Sequence, residues 1–269
     1  MQFTPKENQM HWYDKEGNPQ HYVPSKNGKL RASTLRDARK HGWMPSVTSV
    51  LDILAKPGLD QWKINKAINA AINLPRYETE TDAEYSKRIL ADSRKESKDA
   101  SERGTRIHSM LERSFKQEEE PRGEDEAIFN SVKSLLDINC GEQEWQSEVT
   151  FSEPKLGYGG MVDLISDEWA IDFKTKEFRA DHKQLAYESM AYQLMAYAVT
   201  GVEKSYFDTG EAKVRRMANI FISATDPGLT VFHEWDKENF ERYWEIFSSS
   251  LNLWKNVKQY WPEKHYEGS

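Results

Sequence analysis

GYGGMVDLISDEWAIDFKTK, residues 157–176, is the stretch from which the fold can be read. Two β-like runs, 158–166 and 169–175, flank a polar corner of Ser166, Asp167 and Glu168. Each run carries an aspartate among valine, isoleucine and phenylalanine, where unpaired charge is costly, and the second ends on lysines. If the runs pair as an antiparallel hairpin, a turn at Asp167-Glu168 sets Ser166 opposite Trp169. Counting back then sets Asp163 opposite Asp172, with Cβ atoms ~5 Å apart. Alternation adds Lys174 to that face and sends Val162, Leu164, Ile171 and Phe173 to the other.

Facing carboxylates raise each other's pKa and weaken the sheet. A divalent cation removes that penalty, and hard oxygen ligands on adjacent strands suit Mg²⁺ or Mn²⁺. Lysine cannot ligate while protonated, but it can orient or deprotonate a water beside the ion. Those are the parts of metal-assisted phosphodiester hydrolysis. A salt bridge from Lys174 to either aspartate on a solvated face accounts for the same spacing equally well.

Working outward, the 269 residues suit one large domain or two small ones, with 38% hydrophobic and 30% charged residues. No apolar run reaches membrane-spanning length and MQFTPKENQM lacks the shape of a signal peptide, so the expected setting is cytoplasmic, without a membrane. Cys140 is the single cysteine, which excludes an intrachain disulfide and a cysteine-built zinc or iron–sulfur site. No GxxxxGK[ST] loop is present, so no ATP is expected. The net charge of −7 argues against nonspecific coating of nucleic acid. A local basic groove is still compatible with it: residues 29–41 hold Lys29, Arg31, Arg36, Arg39 and Lys40 against Asp37 alone, and Lys213, Arg215 and Arg216 form a second cluster. Either cluster can equally be a solvated face.

Residues 10–24 read as a hairpin around Lys15-Glu16-Gly17-Asn18. A short helix follows Pro45-Ser46 and ends near Lys56-Pro57-Gly58, and helices are expected over 59–73, 81–117, 124–138, 181–200 and 236–261. The first part of 81–117 is too polar for a core, which makes it a candidate arch over solvent or substrate. Strands are expected over 144–152 and in MANIFISA and LTVFHEW, the last two joined by Thr225-Asp226-Pro227-Gly228. Phe240, Phe247, Leu251 and Trp254 form an aromatic and aliphatic stripe read as core.

In chain order the sequence holds Gly104-Thr105-Arg106-Ile107-His108, Glu148, Gly160-Met161-Val162-Asp163, Asp172-Phe173-Lys174 and Gln193-Leu194-Met195-Ala196-Tyr197. This series resembles the RecB-like branch of the PD-(D/E)XK nuclease superfamily: GxxxH on a helix, a strand Glu, GxxD, DxK, then QxxxY. Each motif alone is weak, and their order gives them specificity. The chain looks most like stand-alone phage and mitochondrial single-strand exonucleases of that branch. Val162 stands where the superfamily's name has proline, as is common in this branch. Relatives with an iron–sulfur cluster carry four cysteines, so none is expected here.

The resemblance implies an α/β fold, a central mixed β-sheet flanked by helices (a restriction-endonuclease-like core), with a helical N-terminal region. Residues 1–120 would form the N-terminal hairpin and helices and 121–269 the nuclease core, in one compact unit. It implies His108, Asp163, Asp172 and the Phe173 carbonyl as holders of one or two Mg²⁺ or Mn²⁺ ions. Lys174 would position or activate the attacking water, and Gln193 and Tyr197, four apart on one helix face, would hold substrate and lysine. Gly104 would let the His108 helix approach the sheet. Glu148 is either a further acid near the metal or an exposed strand glutamate. Arg31, Arg36, Arg39, Lys40, Arg106 and Lys176 are the cations expected on DNA, with exposed aromatics beside them. The expected activity is a metal-dependent DNA exonuclease preferring single-stranded ends, in repair or recombination and with single-strand-binding or recombination proteins as partners. A duplex 5′ exonuclease, a structure-specific endonuclease and a catalytically silent DNA-binding module are the alternatives.

Overall fold

A computed structural model describes residues 10–181, 184–201 and 214–266. Its centre is a five-stranded mixed sheet, ordered β5 (Gln146–Glu153), β6 (Tyr158–Ile165), β7 (Trp169–Lys176), β8 (Arg216–Ser223) and β9 (Thr230–Glu234). β7 and β8 are parallel and every other neighbouring pair is antiparallel. The parallel pair requires a crossover, which contains α6 (Glu188–Ala198).

Helices cover both faces. On one, α4 (Asp82–Phe115) and α5 (Glu124–Cys140) bury Ile107, Met110, Leu111, Ile128, Val132 and Leu136 against Leu164, Ile171, Phe173, Ala218, Ile220 and Ile222. On the other, α6 and α7 (Phe240–Lys258) join the N-terminal region, where Trp12, Trp43 and Val47 share a core with Trp254 and Tyr260. The stripe of Phe240, Phe247, Leu251 and Trp254 is fully committed to that core.

The N-terminal region departs from the simple hairpin. The turn at Asp14–Asn18 forms, with the Asp14 carboxylate accepting from the Asn18 backbone at 2.8 Å, but only Tyr13 and Pro19 bridge across it. β1 (Trp12–Tyr13) pairs instead with β4 (Met44–Pro45), and β2 (Tyr22–Pro24) with β3 (Leu30–Ala32). Burying Trp12 and Tyr13 is worth more than extending a solvent-exposed ladder. α1 (Leu35–His41) begins at a Thr34–Asp37 capping box and ends at left-handed Gly42.

Ser46 caps α2 (Val47–Leu51), which stops earlier than expected, and Pro57 opens α3 (Pro57–Asn73) at a position where its missing N–H costs nothing. α4 is one helix from a Thr81–Glu84 capping box onward. Its C-terminal part lies on the sheet, while its N-terminal part pairs with α3, where the Tyr85 hydroxyl donates to the carbonyls of Ala71 and Leu74, both at 3.0 Å. The helix expected over 181–200 is shorter: Tyr187 is extended, and Lys176 holds the Leu185 carbonyl at 2.7 Å, fixing the segment before α6 as a strap.

Candidate functional site

The 158–166 and 169–176 runs pair in the register expected. Leu164 faces Ile171, Ile165 faces Ala170, and the Ser166 N–H donates to the Trp169 carbonyl at 2.9 Å. The ladder stops one step before Asp163 and Asp172 would meet. In place of a strand partner, the Phe173 N–H donates to Asp163 Oδ2 at 2.7 Å. β6 and β7 therefore fork at the two aspartates.

A second irregularity lies on the other side of β6. Glu148 has φ 52°, a left-handed value inside a strand, and the β5–β6 ladder skips the Glu148–Asp163 step while keeping register on both sides. The dislocation reverses which face each strand buries. Leu164 packs with α4 and α5, but Val162 packs with α6 and α7; Trp145 and Val149 divide likewise. The single-face assignment of Val162 with Leu164 is corrected accordingly, because alternation holds only in an unbroken strand.

The fork and the dislocation gather the polar groups. His108, Glu148 and Asp163 each offer a ligand atom, all within 4.8 Å of one another. His108 Nδ1 lies 3.5 Å from Asp163 Oδ2, and its ring meets Phe173 edge-on. Asp172 stands beside this trio with its oxygens occupied: Lys174 Nζ at 2.6 Å from Oδ2 and 2.9 Å from Oδ1, Gln193 Nε2 at 2.9 Å from Oδ1, and Asn219 Nδ2 at 2.7 Å from Oδ2. Glu148 thus takes the place beside His108 and Asp163 that was expected of Asp172. Gln193 also donates to the Tyr197 hydroxyl at 3.0 Å and accepts from Lys174 at 3.4 Å, so the residue pair on α6 projects together.

The electrostatics follow from this arrangement. Burial, then the charges of Asp163 and Glu112, push the Glu148 carboxyl up to about 7. Burial also raises Asp172, and its paired lysine only partly offsets this. For Asp163 burial opposes ionisation most strongly, yet the His108 contact and charge, Lys174 and the Phe173 N–H together hold it below the ordinary value. Burial lowers His108, but the contact with Asp163 and the charges of Asp163 and Asp172 outweigh it, leaving a net rise. Two neighbouring carboxylates, one of them held partly neutral near pH 7, plus an imidazole form a nitrogen-and-oxygen donor set that fits Mn²⁺ readily and Mg²⁺ through its oxygens. Its span is close to what bonds of about 2.1 Å bridge.

Asn219 was not singled out from sequence. It is fully buried and links Asp172 to Trp235, whose Nε1 donates to Asn219 Oδ1 at 2.9 Å. The signal was present as a lone amide inside MANIFIS, where a buried polar side chain needs partners. Glu112, one turn beyond His108, is a second residue not anticipated.

Four of the candidate DNA cations, Arg31, Arg39, Arg106 and Lys176, have partners within the chain. Arg31 pairs with Asp37 at 2.7 Å, and Arg39 donates to the Lys258 carbonyl at the end of α7 at 2.5 Å. Arg36 and Lys40 are exposed on α1. Arg106 bridges α4 to Asp125 of α5 at 2.6 Å. Lys176 lies over the rings of Tyr187 and Phe221, and burial followed by the charge of Lys174 lowers it to about 8. In the second cluster, Arg216 pairs with Glu234 at 2.7 Å, Arg215 donates to the Ser166 and Thr200 carbonyls, each at 2.8 Å, and Lys213 lies outside the described residues. The approach of α4 to the sheet does not depend on glycine at 104: an added Cβ would lie 3.9 Å from Thr175, an ordinary contact.

No family model and no curated protein matches the chain. A crystal structure of SSO0001 aligns over 70% of this chain and 85% of that one, at 14% identity and a TM-score of 0.27, a likeness too slight to fix fold or activity. The chain is an α/β protein with a mixed sheet flanked by helices and a His–Glu–Asp cluster at a forked strand pair. No helix among the described residues is long and apolar enough to cross a membrane.

Proposed function

We propose that the chain is a metal-dependent DNA exonuclease acting on single-stranded ends. The observation that carries this reading is the convergence of His108, Glu148 and Asp163 within 4.8 Å, beside a lysine held on Asp172. These three residues would hold the ion, Mn²⁺ or Mg²⁺. When bound, it would supply Lewis-acid polarisation of a phosphate oxygen.

The remaining work falls to the chain's own groups. Phe173 N–H orients the Asp163 carboxylate at 2.7 Å. Lys174 spends two donors on Asp172, and its long 3.4 Å contact with Gln193 is the one it can exchange for a water or phosphate oxygen. Gln193 fixes that lysine while Tyr197 fixes Gln193. Asn219 anchors Asp172 from below. The α3–α4 hairpin, springing from the helix that carries His108, would supply the steric limit that favours a threaded end over an internal site.

The test uses 5′- and 3′-labelled single- and double-stranded DNA and a single-stranded circle, each with Mg²⁺, Mn²⁺ or chelator. Linear single strands shortened progressively only with metal, with circles intact, are expected. Lys174→Ala should abolish cleavage with an unchanged circular-dichroism spectrum and unchanged DNA binding. Cleavage surviving both chelator and Lys174→Ala refutes the assignment, and rapid cutting of circles refutes the requirement for ends.

A further inference from the structure

Tyr13 brings an unspent hydroxyl to the edge of the cluster. Its backbone pairs with Met44 and bridges to Pro19, and His21 meets its ring edge-on, with centroids 5.3 Å apart. Gly159 of β6 lies against the same side chain: a Cβ added there would come 2.9 Å from Tyr13 Cβ and 3.1 Å from Cγ. The residue is 3% exposed, yet its hydroxyl makes no hydrogen bond among the described residues. A buried hydroxyl without a partner is costly, so its retention asks for a reason.

The charges that reach this hydroxyl place it at the site. Burial first, and then the charge of Glu148, push the Tyr13 phenol up to about 12. Tyr197 is raised by burial, then by Asp172 and, more weakly, by Asp163 and Tyr13. Tyr13 therefore stands in the field of Glu148 and within electrostatic reach of Tyr197. Tyr197 has a proton to spend as well: its oxygen accepts from Gln193 at 3.0 Å and donates to no described residue.

We propose that Tyr13 is a substrate contact of the cluster, its hydroxyl donating to a phosphate oxygen of the DNA strand held there. The proposal rests on the nuclease reading and adds a residue to it from the N-terminal region. Glu148 and Asp172 make no hydrogen bond with either phenol, so the acceptor is a group that enters the site. A cation offers no acceptor. A phosphodiester offers two non-bridging oxygens, one to approach the ion and one for a phenol, and tyrosine is among the side chains that bond phosphate in DNA complexes. A base is not the partner, since stacking needs an open ring face and this ring is covered. The raised phenol stays protonated, and so remains a donor, at any working pH. Its attachments to β4, Pro19, His21 and Gly159 hold it in place before a strand arrives.

Tyr13→Phe removes only the hydroxyl, and four measurements read the effect. In chelator the variant should unfold at or above the wild-type temperature, because the lost group has no partner in the chain. Its Mn²⁺ affinity by titration calorimetry should be unchanged. Its kcat/KM on labelled single-stranded DNA should fall about tenfold or more. In a Lys174→Ala background, where cleavage does not interfere, fluorescence anisotropy with Mn²⁺ should show binding of the same DNA weakened by a similar factor. DNA affinity and cleavage equal to wild type overturn the proposal and leave the nuclease reading standing. A weakened Mn²⁺ affinity also overturns it, since the hydroxyl would then serve Glu148 or the ion, and a variant destabilised in chelator assigns Tyr13 to structure instead. A wild type that neither binds nor cuts DNA overturns the nuclease reading and this proposal with it.

Discussion

Replacing Glu148 with glutamine removes one charge from the cluster while keeping its shape. In the folded chain, burial first and then Asp163 and Glu112 raise this carboxyl from 4.5 to about 7. A raised acid costs nothing below its unfolded value, where it is neutral in both states. The cost grows as pH climbs from 4.5 to about 7 and is constant above that. That gap corresponds to at most about 3 kcal/mol, and residual solvent access reduces it to about 1–2 kcal/mol. In chelator at about pH 8, Glu148→Gln should therefore unfold roughly 2–8 °C above wild type, at about 2–4 °C per kcal/mol. Near pH 4.5 the two should coincide. Mn²⁺ should reverse the order: at a hundred times its dissociation constant a ligand stabilises by about 2.7 kcal/mol, and the variant offers a neutral amide oxygen where the wild type offers an anionic carboxylate. Thermal unfolding across pH, with chelator and with Mn²⁺, reads both effects. Parallel wild-type and variant curves in chelator, or equal stabilisation of both by Mn²⁺, would refute the reasoning.

Other perturbations act on the supports of the site. Asn219→Leu strips a hydrogen bond from Asp172 and leaves Trp235 Nε1 without its partner, so it should cost about 2–4 kcal/mol in urea unfolding; a loss under about 1 kcal/mol would show that neither contact matters. Gly160→Ala drives a methyl to 2.9 Å from Phe151 Cε1 and 3.0 Å from Tyr197 Cε1, and should cost about 1–3 kcal/mol by calorimetry. Gly104→Ala has room and a helical backbone, so it should be neutral or gain up to about 1 kcal/mol. Burial pushes the Cys140 thiol up to about 12, so its reaction with a disulfide reagent near neutral pH should be slow and should accelerate on unfolding; equal rates in native and urea-unfolded protein would contradict this.

Much of this arrangement was legible because it rests on local rules. The helix starts expected after Pro45-Ser46, at 59 and at 81 fall within about two residues of those observed, at Val47, Pro57 and Asp82. The turn after Ser166 set the register that brings Asp163 towards Asp172. What sequence periodicity could not show was where that regularity breaks. A period-two reading assumes an unbroken pleat, so it placed Val162 with Leu164 and gave Glu148 no more than even standing beside the metal. Nor do charge counts along 29–41 show intramolecular partners: Arg31 serves Asp37, and Arg39 caps the end of α7.

The two breaks are one device seen from either side of β6. An Asp163 in a continuous ladder would direct its carboxylate along a single sheet face, away either from α4 or from β7. By opening the β6–β7 seam, the chain lets Asp163 reach both the Phe173 N–H and His108. By giving Glu148 a left-handed backbone, it turns a second carboxylate to the same place. That conformation costs a non-glycine residue about 1–2 kcal/mol, and the mutual repulsion of the acids adds to it. Glycine at 148 would relieve both costs, so local stability gives no reason for glutamate there. The ion of the proposed function would restore the balance for a side chain kept in this strained, desolvated position beside a second acid. Glu148→Gly should then be more stable than wild type in chelator and indifferent to Mn²⁺. A destabilised Glu148→Gly in chelator would mean that Glu148 is a structural residue and that the cluster needs no ion.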